Sequence, residues 1–103
     1  MALAPEKVAA IKATYPAAQH LVCGEDEVVV RPPDRQTWRR FKSELADEAK
    51  KPNAVENLLI GCTLLPDQAE LAAMLDRKPA LAELFGSKVV TLAVGEAEVT
   101  VKN

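Results

Sequence analysis

Histidine occurs once in this chain of 103 residues, at His20, and that scarcity removes much chemistry at the outset. A metal site built on two imidazoles cannot form within one subunit, and most histidine-dependent dyads are excluded with it. Cysteine is almost as rare. Cys23 and Cys62 lie far apart in sequence and no Cys-x-x-Cys occurs, so no zinc spacing is available and both thiols read as small hydrophobes. Four glycines leave no loop able to cradle a phosphate. Aromatic residues make up 4% of the chain, so its core must come mainly from Leu, Val and Ala. A basic excess is also missing: 13 basic against 15 acidic residues give a net charge of −2, the wrong balance for a protein that neutralises phosphates.

Long apolar runs are absent too. The stretch 89–94 is interrupted by Thr91 and falls far short of the roughly 20 residues that cross a membrane. Met1-Ala2-Leu3-Ala4-Pro5-Glu6-Lys7 has no basic region followed by an apolar one, so no signal peptide is expected and the protein is placed in the cytoplasm. What is present is ordinary for a globular protein: 49% hydrophobic and 27% charged residues. A chain of this length buries about 60–70% of its unfolded surface, enough for one core without a metal or disulfide. Residues 1–94 are expected to form that single domain, with 95–103 as a tail or an added strand.

Along the chain the apolar period changes twice. Pro5 and Glu6 suit the first turn of a helix, Val8, Ile11 and Tyr15 follow at helical spacing, and Pro16 ends it. Residues 19–23 and 27–31 are rich in β-formers around Gly24-Glu25-Asp26 and predict a hairpin. Val28-Val29-Val30 is too continuous for a strand wet on one face, so a helix should cover it. Asp34 is a good N-cap, and Trp38, Phe41, Leu45 and Ala49 place an apolar stripe on a helix over 34–51. Val55, Leu58, Leu59 and Cys62 mark a second stripe closed by Pro66. Asp67 caps a third helix burying Leu71, Met74 and Leu75, and Leu81, Leu84, Phe85, Val89 and Leu92 mark a last one, with a bend expected at Gly86-Ser87. The fold class is therefore α+β: an N-terminal short helix and β-hairpin, then three to four packed amphipathic helices.

No constellation for catalysis emerges. His20 and Cys23 are three apart on a strand and point to opposite faces, and Cys62 sits on an apolar helical stripe where a thiol is inert. The acidic residues read as solvated surface, and no calcium-loop spacing occurs. A non-enzymatic protein without cofactors or metals is expected. The candidate contact residues are Arg35, Arg39 and Lys42, on one face of the 34–51 helix. An acidic partner or nucleic acid would suit them, although acidic residues on the same helix make a solvated face the plainer alternative. Trp38 belongs to the apolar stripe and could serve the core or anchor a partner. Several short helices with apolar faces leave room for a groove, to which Leu58, Leu71 and Leu75 are the nominated contributors.

A family resemblance adds to this. A hairpin ending in Val28-Val29-Val30-Arg31-Pro32-Pro33, followed by Asp34-Arg35-Gln36-Thr37-Trp38-Arg39-Arg40-Phe41, resembles the small tail assembly chaperones of long-tailed bacteriophages. Residues 54–65 with Pro66-Asp67, then Leu71, Leu75, Lys78-Pro79 and Leu81, resemble the helices that follow in those proteins. The similarity runs over residues 19–94. One departure is Leu64-Leu65, where relatives carry an aromatic residue before Pro-Asp. The resemblance implies a chaperone of the host cytoplasm that coats the helical tape-measure protein and helps recruit tail-tube protein, with a homo-oligomer open. The alternatives are a structural tail or connector component of the virion, or a small nucleic-acid-binding regulator using Arg35, Arg39 and Lys42.

Overall fold

A computed structural model of the protein describes residues 2–95 and 99–102. The elements run α1 (Pro5–Thr14), β1 (Gln19–Cys23), β2 (Asp26–Val30), α2 (Arg35–Leu45), a 3-10 turn (Lys51–Asn53), α3 (Ala54–Cys62), β3 (Thr63–Leu65), α4 (Gln68–Arg77) and α5 (Leu81–Leu92). The three strands form one antiparallel sheet in the order β1-β2-β3. The fold is α+β, as the sequence predicts.

Val28, Val29 and Val30 on the central strand are fully buried. Alternation along β2 sends Val28 and Val30 into the large core cluster built by α2 to α5, while Val29 faces the other way into a smaller cluster with Val8 and Ala18, backed by Leu3 and Ile11. Each buried valine contributes roughly 1.5–3 kcal/mol only if its own face is covered. The sheet accordingly lies between α1 on one side and four helices on the other.

Gly24-Glu25 joins β1 to β2 as a two-residue turn closing on the Cys23–Asp26 pair. Gly24 takes φ +62° and Glu25 stays on the ordinary side, the pattern of a type II′ hairpin turn. Near this tip Asp26 is buried to 1% exposure, and the Lys78 ammonium between α4 and α5 donates to its Oδ2 at 2.8 Å. The same ammonium reaches Glu25 Oε1 at 3.3 Å, and Arg77 Nη2 stands 3.9 Å from Asp26 Oδ1. Lys78 holds the Asp26 carboxyl well below its usual range, at about 2, and the carboxylates push the Lys78 ammonium upward in turn.

Three expectations need correction. The helix expected over 34–51 ends at Leu45: the Asp47 side chain accepts the Ala49 N–H at 2.9 Å and its carbonyl takes the Lys50 and Lys51 N–H groups, so local turn bonds replace helical ones and Ala49 is exposed. Thr63–Leu65, read as helix, leaves α3 directly to pair with β2, Val29 opposite Leu65 and Val30 opposite Thr63 across a register shift. α5 runs unbroken through Gly86, whose missing side chain admits α3. A Cβ there would stand 2.4 Å from Val55 Cγ1 and 3.1 Å from the Val55 carbonyl oxygen. Leu84, assigned to the buried stripe of α5, is 59% exposed. In the 95–103 segment Gly95 lies in a turn and residues 99–102 join no strand, while residues 96–98 and 103 lie outside the described residues.

Two outcomes follow. Gly86→Ala gains up to about 1 kcal/mol in helix propensity but must force α3 and α5 apart, so the net effect is destabilising by about 1–3 kcal/mol, read as a lower urea midpoint. Asp26 titrates lower folded than unfolded, so its contribution is complete above its ordinary value of 3.8 and disappears as pH falls toward about 2. Lys78→Met should lower stability at neutral pH and flatten the pH dependence of urea unfolding between those two values.

Candidate partner-binding groove

The residues nominated from sequence separate into two groups. Leu58 and Leu71 are each 2% exposed and Leu75 is 7% exposed, so these three serve the core and cannot meet a partner. Leu58 is used up because α3 packs on both α2 and α5, and Leu71 and Leu75 of α4 join the same core cluster. Their nomination as groove residues is therefore overturned.

Arg35, Trp38, Arg39 and Lys42 are brought together on α2. Asp34 caps this helix by accepting the Thr37 N–H at 2.8 Å, a bond that lowers the Asp34 carboxyl below its usual range. Trp38 and Phe41 then fall one turn apart with ring centroids 5.2 Å apart in a tilted pair. Phe41 is buried; Trp38 is half-buried, with part of its indole in the core and part facing out. Arg35, Arg39 and Lys42 are exposed, and among the described residues none has a carboxylate within 4 Å. By contrast Glu44 is engaged, accepting from the Asn57 amide at 3.1 Å and so tying α2 to α3.

Trp38 forms one wall of an open groove of about 570 Å³ between the start of α2 and the end of α5. Pro33, Val90, Ala93 and Val94 complete its apolar surface, and Asp34 and Arg35 stand at the rim. Val94 is 63% exposed although nothing about a valine favours water. The α5 residues of this groove were missed from sequence. A signal existed: Val90 and Val94 are spaced i, i+4, off the stripe of Phe85 and Val89 that enters the core. Val90 is partly buried against the core, as Trp38 is, while Val94, just past the end of α5, is left largely exposed.

The remaining reactive groups are dispersed. His20 and Cys23 occupy opposite faces of β1, and His20 Nε2 lies 2.7 Å from Glu27 Oε1 on the α1 face. Cys62 is buried among the core helices, and burial pushes its thiol up. Among the described residues no cluster of His, Cys, Asp and Glu could hold a metal ion, and no helix is long and apolar enough to cross a membrane. A thiol reagent added to the folded protein should modify Cys23, which is half-buried, and spare Cys62 until denaturant is added. Rapid native labelling of both would contradict the packing of α3.

No curated protein sequence matches the chain. A solved structure titled as that of the uncharacterised protein rbstp2171 from Bacillus stearothermophilus superposes with a TM-score of 0.73 at 20% identity, over 92% of this chain and 99% of that one, a likeness of fold. Residues 7–102 match one family throughout, and the protein belongs to that family, described as a domain of unknown function, DUF6848.

Proposed function

We propose that this protein is a non-catalytic assembly chaperone that holds an amphipathic helix of another protein in the groove between α2 and α5. On the strength of the resemblance to tail assembly chaperones of long-tailed phages, the client is the tape-measure protein, and the complex helps recruit tail-tube protein in the host cytoplasm. The observation that carries this proposal is the half-buried Trp38 beside Val90 and Val94, an apolar surface left open at the side of a filled core. Such a groove takes the apolar stripe of a helix. The cations Arg35, Arg39 and Lys42 beside it have no carboxylate partner of their own among the described residues and favour acidic positions flanking that stripe. Reversible covering needs a shallow groove and moderate affinity, and no bound cofactor takes part.

Two other roles make different demands. A structural tail or connector component would remain in the finished particle. A nucleic-acid-binding regulator would use Arg35, Arg39 and Lys42 on phosphates, with affinity falling steeply as salt rises. Co-expression with helical tape-measure fragments should give a soluble complex. Val94→Asp, at an exposed position, should weaken it about tenfold or more while leaving thermal stability unchanged. A fragment that aggregates equally with and without this protein defeats the proposal. Abundant peptides in purified virions favour the structural role, and salt-sensitive nucleic-acid binding lost in the triple alanine variant favours the regulator.

A further inference from the structure

Among the described residues β1 is an outer strand, paired with β2 alone. Because the two-residue turn closes on Cys23–Asp26, Leu21 and Gln19 share with Cys23 the pairs that bond to β2, and the N–H and C=O groups of His20 and Val22 point away from the sheet. Among the described residues nothing bonds to them. Outer strands are ordinarily guarded by charged side chains, proline or a bulge. Gln-His-Leu-Val-Cys carries none of these, and the ring of His20 is engaged by Glu27 at 2.7 Å.

The surroundings of this edge are apolar. Val22 is 61% exposed on one side of it and Leu84 of α5 is 59% exposed on the other. Together with Leu21, Cys23 and Phe85 they line a trough of about 340 Å³ along the strand, with Lys88 at its border. A helix laid in this trough would leave the outward backbone groups unpaired; an extended segment satisfies them.

We propose that the occupant is β1 of a second copy, paired antiparallel about a two-fold axis at Leu21, so that two three-stranded sheets become one of six strands. In that register His20 of each protomer opposes the partner's Val22, and both outward-facing pairs exchange their two bonds while Leu21 meets its own symmetry mate. The strand is suited to itself because it brings no like charges together, and the Val22 and Leu84 patch is covered twice by one contact. Lys88 reaches solvent on its long stem. A ribbon of this length buries less than the roughly 1,200 Å² of stable specific interfaces, so the dimer depends on protein concentration.

Sedimentation velocity of the full chain under reducing conditions tests this. The weight-average mass should climb from that of the monomer toward twice that value as concentration rises. Val22→Lys and Leu84→Glu, both at exposed positions, should each raise the dissociation constant about tenfold or more with circular dichroism and melting temperature unchanged. A Val99→Lys, Val101→Lys double variant should dimerise like the parent. A monomer at every concentration overturns the proposal, as does self-association insensitive to Val22→Lys and Leu84→Glu. Loss of dimer in the double variant overturns it as well, because the occupant of the edge would then be the C-terminal segment.

Discussion

Three consecutive valines at the centre of the sheet impose a requirement that the rest of the molecule is arranged to meet. A strand projects its side chains alternately, so Val28 and Val30 must find cover on one face and Val29 on the other. A hairpin alone would leave one set in water. The N-terminal α1 is placed over Val29, with Val8 and Ala18 as its contribution, and the four later helices are gathered over Val28 and Val30. The short β3 completes the arrangement by occupying the second edge of β2, which would otherwise be a buried strand with unpaired backbone groups.

Charge secures what burial alone would leave loose. The hairpin tip is fastened to the α4–α5 connection through Asp26 and Lys78, residues far apart in sequence. A carboxylate this enclosed is tolerated because a cation meets it at hydrogen-bond distance. Glu44 and Asn57 make a similar, half-buried tie between α2 and α3. The groove at Trp38 lies between the start of α2 and the end of α5, where Pro33 and Val94 stand.

The apolar surface that remains outside is confined to few places. Among the described residues the large exposed apolar side chains are Val94 at the Trp38 groove, Val22 and Leu84 about the β1 edge, Tyr15 after α1, and Val99 and Val101 near the C-terminus. The first two differ in geometry. The groove between α2 and α5 has side-chain walls and suits the stripe of a helix, whereas the β1 edge offers backbone groups and suits a strand. The proposed client helix and the proposed second copy would thus occupy separate surfaces.

Hydrophobic spacing and the turn and cap residues determined most of the fold. Pro5, Gly24, Asp34 and Asp67 begin or join the elements where local chemistry says they should, and Val28-Val29-Val30 announced a strand covered on both faces. Spacing could not say which of several apolar stripes would be used up inside. Leu58, Leu71 and Leu75 looked available but α3 and α4 spend them in one core cluster, and Leu84 looked buried although it stands in water. Thr63–Leu65 became a strand because β2 had a vacant edge, a fact about residues more than thirty positions away. Gly86 and Val55 met for the same kind of reason. Local sequence sets which conformations are cheap over a few residues; burial is a property of neighbours brought together from distant positions, and the exposed surface left for partners is settled only when that packing is complete.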